Sequence, residues 1–78
     1  MWQDKDGALY RAWKFKDFTE AFAFMTAIAK LAEQMDHHPK WTNEYNKLEI
    51  WLSSHDAGGK VTEKDKQMAA GIDALYGI

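Results

Sequence analysis

Between positions 17 and 35 apolar residues recur at intervals of three and four: Phe18, Ala21, Phe22, Met25, Ile28, Ala29, Ala32 and Met35. That is the period of one buried helical face. Asp17 stands at the N-cap position and Glu20 three places on, the pair that a capping box uses. Lys30, Glu33 and Gln34 fall off the stripe. Pro39 sets the far end, because a proline pushes the residue before it out of the αR region. His38 therefore leaves helical geometry and His37 occupies the last turn. Two adjacent imidazoles are then aimed in different directions from nearly one point.

On either side of this helix the period changes to two. Asp6-Gly7 separates a run containing Trp2 from a run over positions 9–15. Asp-Gly between such runs predicts a two-residue hairpin, since both turn positions want positive φ. In the second run Leu9, Trp13 and Phe15 share a face that Arg11 interrupts. After Pro39, strands are predicted over positions 40–45 and 47–53, joined at Asn46. Trp41, Asn43 and Tyr45 share one face of the first; in the second, Leu48, Ile50 and Leu52 oppose Lys47, Glu49, Trp51 and Ser53. That is a sheet buried on one side. The glycines in Ser54-His55-Asp56-Ala57-Gly58-Gly59 mark a loop. Thr62 then caps a last helix with Asp65 as the acid of its box, and Met68, Ala69, Ile72 and Leu75 form its stripe. Gly71 weakens that helix slightly. The order β-β-α-β-β-α predicts an α+β fold, a four-stranded antiparallel sheet with two helices packed on one face, as a single domain over positions 1–78.

Composition narrows the class. Seventy-eight residues lie near the lower limit at which one core sustains itself, and there is no cysteine to staple it. Four Trp, four Phe, three Tyr and four Met supply a dense core, and so small a chain gains from oligomerisation. The formal net charge is −2 with the signs mixed, and no basic run argues for nucleic acid. No apolar stretch is long enough to span a bilayer, and the opening Trp2-Gln3-Asp4-Lys5 does not read as a secretory signal. With the missing cysteines, these features lead to an expectation of a cytoplasmic protein with no membrane or nucleic-acid partner.

The candidate chemistry lies in His37, His38 and His55. Imidazole populates both protonation states near neutral pH. A helix C-terminus favours positive charge, which accounts for one histidine better than for two followed by proline. Glu33, four residues before His37, would share its helix face and fix its tautomer. Three histidines could hold zinc. However, neighbouring residues cannot easily turn both rings to one ion, and neither an i,i+4 His pair nor a His-x-His pair is present, so no metal is expected. His55 gains meaning only if the fold brings the end of the fourth strand beside the end of the first helix; the glycines after it would let a flat ligand approach closely. Asp65 is first of all a capping residue. Trp41, Tyr45 and Trp51 read as core or sheet-surface aromatics, or as a wall for a planar heterocycle. No Gly-rich phosphate loop, serine nucleophile elbow or cysteine nucleophile is present.

The spacing Glu33-x-x-x-His37-His38-Pro39, then Tyr45, His55 and Asp65, resembles the signature of the pterin-4a-carbinolamine dehydratase family. Phe15-Lys16-Asp17-Phe18, Tyr45-Asn46-Lys47 and Thr62-Glu63-Lys64-Asp65 are similar to that family too, so the resemblance covers essentially the whole chain. Typical members carry an extra helix before the first strand, and this chain looks like a short form. The resemblance implies removal of water from 4a-hydroxytetrahydropterin to give quinonoid dihydropterin in tetrahydrobiopterin recycling, with no cofactor. It implies His37 and His55 as proton carriers and His38 as the residue that holds and polarises the pterin. Glu33 would orient His37. Pro39, Ser54, Asp56 and Ala57 would shape the pterin pocket through backbone contacts, with Asp65 and Trp41 behind them. It also implies a homodimer or homotetramer. The alternative on the same fold is a non-catalytic dimerisation or assembly cofactor that binds a protein partner; the intact Glu33, His37, His38 and His55 favour the enzyme.

Overall fold

The computed structural model describes residues 1–54 and 57–77, and its elements follow the predicted order. Strands β1 (Gln3–Lys5) and β2 (Ala8–Lys14) form the first hairpin, with Asp6 and Gly7 both at positive φ (53° and 81°) as the two-residue turn requires. Helix α1 (Phe18–Met35) follows, then β3 (Lys40–Glu44), β4 (Lys47–Leu52) and helix α2 (Glu63–Tyr76). The sheet is antiparallel throughout, in the order β1-β2-β4-β3. The second hairpin turns through two residues, Tyr45 and Asn46, with Tyr45 at φ 52°. The strands are therefore slightly shorter than the alternation implied.

The core lies between the sheet and the two helices. Leu48, Ile50 and Leu52 of β4 are buried, as their alternation predicts, and meet Phe24, Ile28 and Ala32 of α1 and Met68, Ala69 and Ile72 of α2. Arg11 does not interrupt the inner face of β2; it is buried there. Its Nη1 lies 2.6 Å from Asp73 Oδ1, its guanidinium rests 4.8 Å from the Trp13 ring centre, and Trp2 Nε1 donates to the same Asp73 oxygen at 2.9 Å. A cation with a carboxylate and an aromatic face can be buried where a bare one cannot.

The helical stripe is rotated from its predicted position. Phe24 and Leu31 pack into or against the core, while Phe18, Phe22 and Ala29 are exposed, the two phenylalanines stacking on each other at 5.4 Å. Phe15, Phe24, Trp13 and Tyr76 form an aromatic cluster that draws Phe24 inward. On α2, Leu75 is exposed. Gly71 does more than weaken its helix: a Cβ there would stand 2.8 Å from Leu31 Cδ2, so glycine lets α1 and α2 approach closely.

Candidate active site

The geometry of the histidine pair begins with how α1 stops. The helix ends before Pro39 has any effect. Asp36 takes the left-handed conformation (φ 48°, ψ 45°), its N–H donates to Glu33 O at 3.3 Å, and the His37 N–H reaches back to Ala32 O at 3.0 Å. These are the two bonds of a Schellman ending, with aspartate in the place usually given to glycine. His37 is thus beyond the helix, not in its last turn, and the i,i+4 relation to Glu33 does not hold. Glu33 instead meets His38, whose Nε2 lies 2.6 Å from Glu33 Oε2. Both side chains are largely in solvent, 58% and 78% exposed.

His37 turns the other way, into the protein. Its side chain is 11% exposed and its Nε2 lies 2.5 Å from Oδ1 of Asp65, which is fully buried. Asp65 does make the predicted capping contact, accepting from the Thr62 N–H at 2.8 Å. Its buried carboxylate has further work, however. Oδ2 also accepts from Ser54 Oγ at 2.9 Å, and Oδ1 is given to the imidazole. Burial is the largest single influence on this carboxyl and pushes its pKa up. The donors from Thr62, His37 and Ser54 together outweigh it, so Asp65 titrates below the ordinary aspartate value. An ionised carboxylate can only accept, so His37 carries a proton on Nε2 and leaves Nδ1 as the nitrogen that can gain and lose one.

The placement of the pair suits both helices. His37 follows the C-terminus of α1, where the backbone carbonyls favour a cation, and Asp65 sits in the first turn of α2, where the N–H groups favour an anion. Lys64 of that turn donates to Asp36 O at 3.2 Å and ties the two helix ends together.

Of the other expected site residues, Pro39 is half-buried and Trp41 packs against the core from β3. Ser54 is 3% exposed, bridges Lys60 and accepts the Ala57 N–H at 3.1 Å. His55 and Asp56 lie outside the described residues. Beside His38 opens a cleft of about 490 Å³, lined on the outer face of the sheet by Trp51, Lys40 and Ser53 and from the first hairpin by Lys5, Asp6 and Ala8. Trp51 packs against Tyr10 at 5.3 Å, and Lys40 lies 5.1 Å from its ring centre. Tyr45 is exposed at its turn, away from this cleft's lining. Among the described residues no group of three or more His, Asp or Glu side chains is placed to hold a metal ion.

Fold and site together define a small α+β protein with a buried His–carboxylate pair beside an exposed second histidine, an arrangement for moving protons. A family model described as pterin 4 alpha carbinolamine dehydratase matches residues 1–75. The chain belongs to this family of hydro-lyases. A Synechococcus relative (strain WH7803) named for the same dehydratase is 57% identical over 95% of this chain and 78% of its own length. One from Solibacter usitatus is 55% identical over 95% and 77%. Among solved structures, a transcriptional coactivator/pterin dehydratase from Brucella melitensis superposes with a TM-score of 0.91 at 46% identity, covering 97% of this chain and 82% of that one. A pterin dehydratase-like protein identified as a RuBisCO assembly factor in the alpha-carboxysome gives 0.79 at 27% identity, covering 99% and 88%.

Proposed function

We propose that residues 1–78 act as one dehydratase domain that removes water from a 4a-hydroxytetrahydropterin by histidine acid–base chemistry. In this reaction the C4a–O bond breaks, the oxygen leaves as water after receiving a proton, and the neighbouring ring nitrogen gives one up as the C=N bond of the quinonoid dihydropterin forms. Each step asks for a group that can give or take a proton near neutral pH, which imidazole does. The observation that carries the reading is the His37–Asp65 pair. A buried, multiply hydrogen-bonded carboxylate fixes the proton of His37 on Nε2 and frees Nδ1 for exchange with substrate. His38 lines the cleft and would hold the pterin edge; His37, its neighbour in the chain, is not among the residues that line it. A cleft of about 490 Å³ is of the size that encloses small bicyclic ligands. His55 is the second proton carrier in this scheme, and Pro39, Asp56 and Ala57 shape the pocket through their backbone.

The recycling of tetrahydrobiopterin after aromatic hydroxylation is the role that best fits such a reaction, and the cytoplasm its place. A homodimer or homotetramer is favoured by the short edge strands β1 and β3, which leave backbone groups unpaired, and by the exposed Phe18–Phe22 stack. The assembly factor that shares this fold supports a second reading, a non-catalytic protein-binding role. One assay separates them. Freshly generated 4a-hydroxytetrahydropterin is followed to quinonoid dihydropterin with wild type, His38→Ala and His55→Ala. Wild type should accelerate the spontaneous reaction, and both substitutions should slow it. No acceleration by wild type, or no loss in either variant, would leave the protein-binding role.

A further inference from the structure

Ser54 follows β4 and stands next to His55 in the sequence, a position where a substrate contact would be expected. Its polar atoms are already engaged. Its N–H donates to Lys60 O at 2.9 Å, and its carbonyl oxygen accepts from both Ala57 (3.1 Å) and Gly59 (2.9 Å). Its hydroxyl lies 2.9 Å from Asp65 Oδ2 and 2.7 Å from Thr62 Oγ1. A hydroxyl has one proton, and a carboxylate is the stronger acceptor, so Ser54 donates to Asp65 and receives the Thr62 proton.

We propose that Ser54 is a positioning residue for His37, acting through Asp65 and not on the substrate. A carboxylate on a single Cβ–Cγ bond can rotate. Here Oδ2 is held from two directions, by Thr62 at the N-cap of α2, through its N–H at 2.8 Å and more distantly its hydroxyl at 3.3 Å, and by Ser54 from the end of β4. That fixes the plane of the carboxylate and leaves Oδ1 to the imidazole alone. The same hydroxyl is one of the donors that keep Asp65 ionised in a site where burial opposes ionisation. The hydroxyl thus ties the turn after β4 to the proton-carrying ring at the end of α1.

The kinetic test rests on the dehydratase reading; a second readout does not. In Ser54→Ala, kcat at neutral pH should fall about tenfold, the scale of one lost hydrogen bond to a charged group, with KM nearly unchanged. The acid-side decline of kcat should begin at higher pH, because Asp65 loses a donor that favours its charged form. Ser54→Thr, which keeps the hydroxyl, should restore both. Independently of turnover, nitrogen-15 NMR of the His37 ring should show a well-populated Nε2–H form in wild type and in Ser54→Thr, and a mixture of tautomers in Ser54→Ala. If Ser54→Ala proves unfolded, Ser54→Cys, whose thiol is a weaker donor of similar size, should move the acid limb and the NMR signal the same way by less. The proposal is overturned by an unmoved acid limb and tautomer, by a rise in KM alone, or by Ser54→Thr behaving as Ser54→Ala does. Wild type without dehydratase activity but with a Ser54-dependent His37 tautomer would reject the catalytic reading and keep this one.

Discussion

Two histidine–carboxylate pairs stand side by side at the end of α1, and they differ in nearly everything but the kind of group that meets the ring. His38–Glu33 joins residues five apart, at 2.6 Å, with both side chains in solvent. His37–Asp65 joins residues 28 apart, at 2.5 Å, with the carboxylate fully buried and held by further donors. In water, such a contact competes with hydration on both sides and with the entropy of two free side chains. In the interior, the carboxylate has no water to return to, so its partners determine its charge and its direction. A histidine paired with a carboxylate is therefore held in two different ways: the outer pair is free to rearrange, and the inner pair is preset.

The comparison is broken most severely by Asp65→Asn. The amide can keep an oxygen on Thr62 and Ser54 but then offers an N–H where His37 needs an acceptor. That forces the ring proton from Nε2 to Nδ1, the wrong tautomer for exchange with substrate. Dehydration should fall about 10²-fold or more, the scale of one general acid–base group. Stability should also fall, by about 1–3 kcal/mol, for a buried group left badly paired. Measured kcat and the urea midpoint check both; a variant with wild-type kcat would show that the inner pair serves folding alone.

How far this arrangement could be read from the chain varies by element. The alternation of Leu48, Ile50 and Leu52 gave an unambiguous buried strand face, and Asp6-Gly7 gave the hairpin. The existence of α1 was equally legible, but its rotation was not. Phe18, Phe22, Phe24 and Met25 surround much of the helix, and only the aromatic cluster with Trp13, Phe15 and Tyr76 decides which phenylalanine goes in. Pro39 predicts a helix stop that comes too late, because Asp36 is a residue type that tolerates positive φ and ends the helix first. That shift of position moved Glu33 from one histidine to the other. The bond from His37 to Asp65 left no local trace, because capping already accounts for an aspartate three residues after Thr62. Ser54 is legible as a site residue only through the family resemblance, and its contact with Asp65 exists only once β4 and α2 meet.

Acidification should sharpen the contrast through stability. Asp65 titrates below the ordinary aspartate value in the folded state, so between the two values the unfolded chain binds more protons than the native one. The stabilisation from its ionised form is complete above the unfolded value, about 3.9, and is lost as pH falls through the folded value. Wild type should thus exceed Asp65→Asn in urea midpoint at about pH 5, and the margin should shrink below about pH 4. A margin that persists undiminished to pH 2 would mean that the charge of Asp65 contributes nothing.

The smallest effect is expected at the outer pair. Glu33→Gln removes a charge that is 78% exposed and leaves a side chain that can still reach His38. Exposed pairs of this kind are worth about 0–1 kcal/mol, and less in salt because the charges are screened. The variant should lose no more than a few tenths of a kcal/mol in stability and about twofold in kcat, and its difference from wild type should fade as sodium chloride is raised to about 0.5 M. A loss comparable to that of Asp65→Asn, or one that salt leaves unchanged, would show that the outer pair is buried during turnover and that the division between an adaptable and a preset histidine fails there.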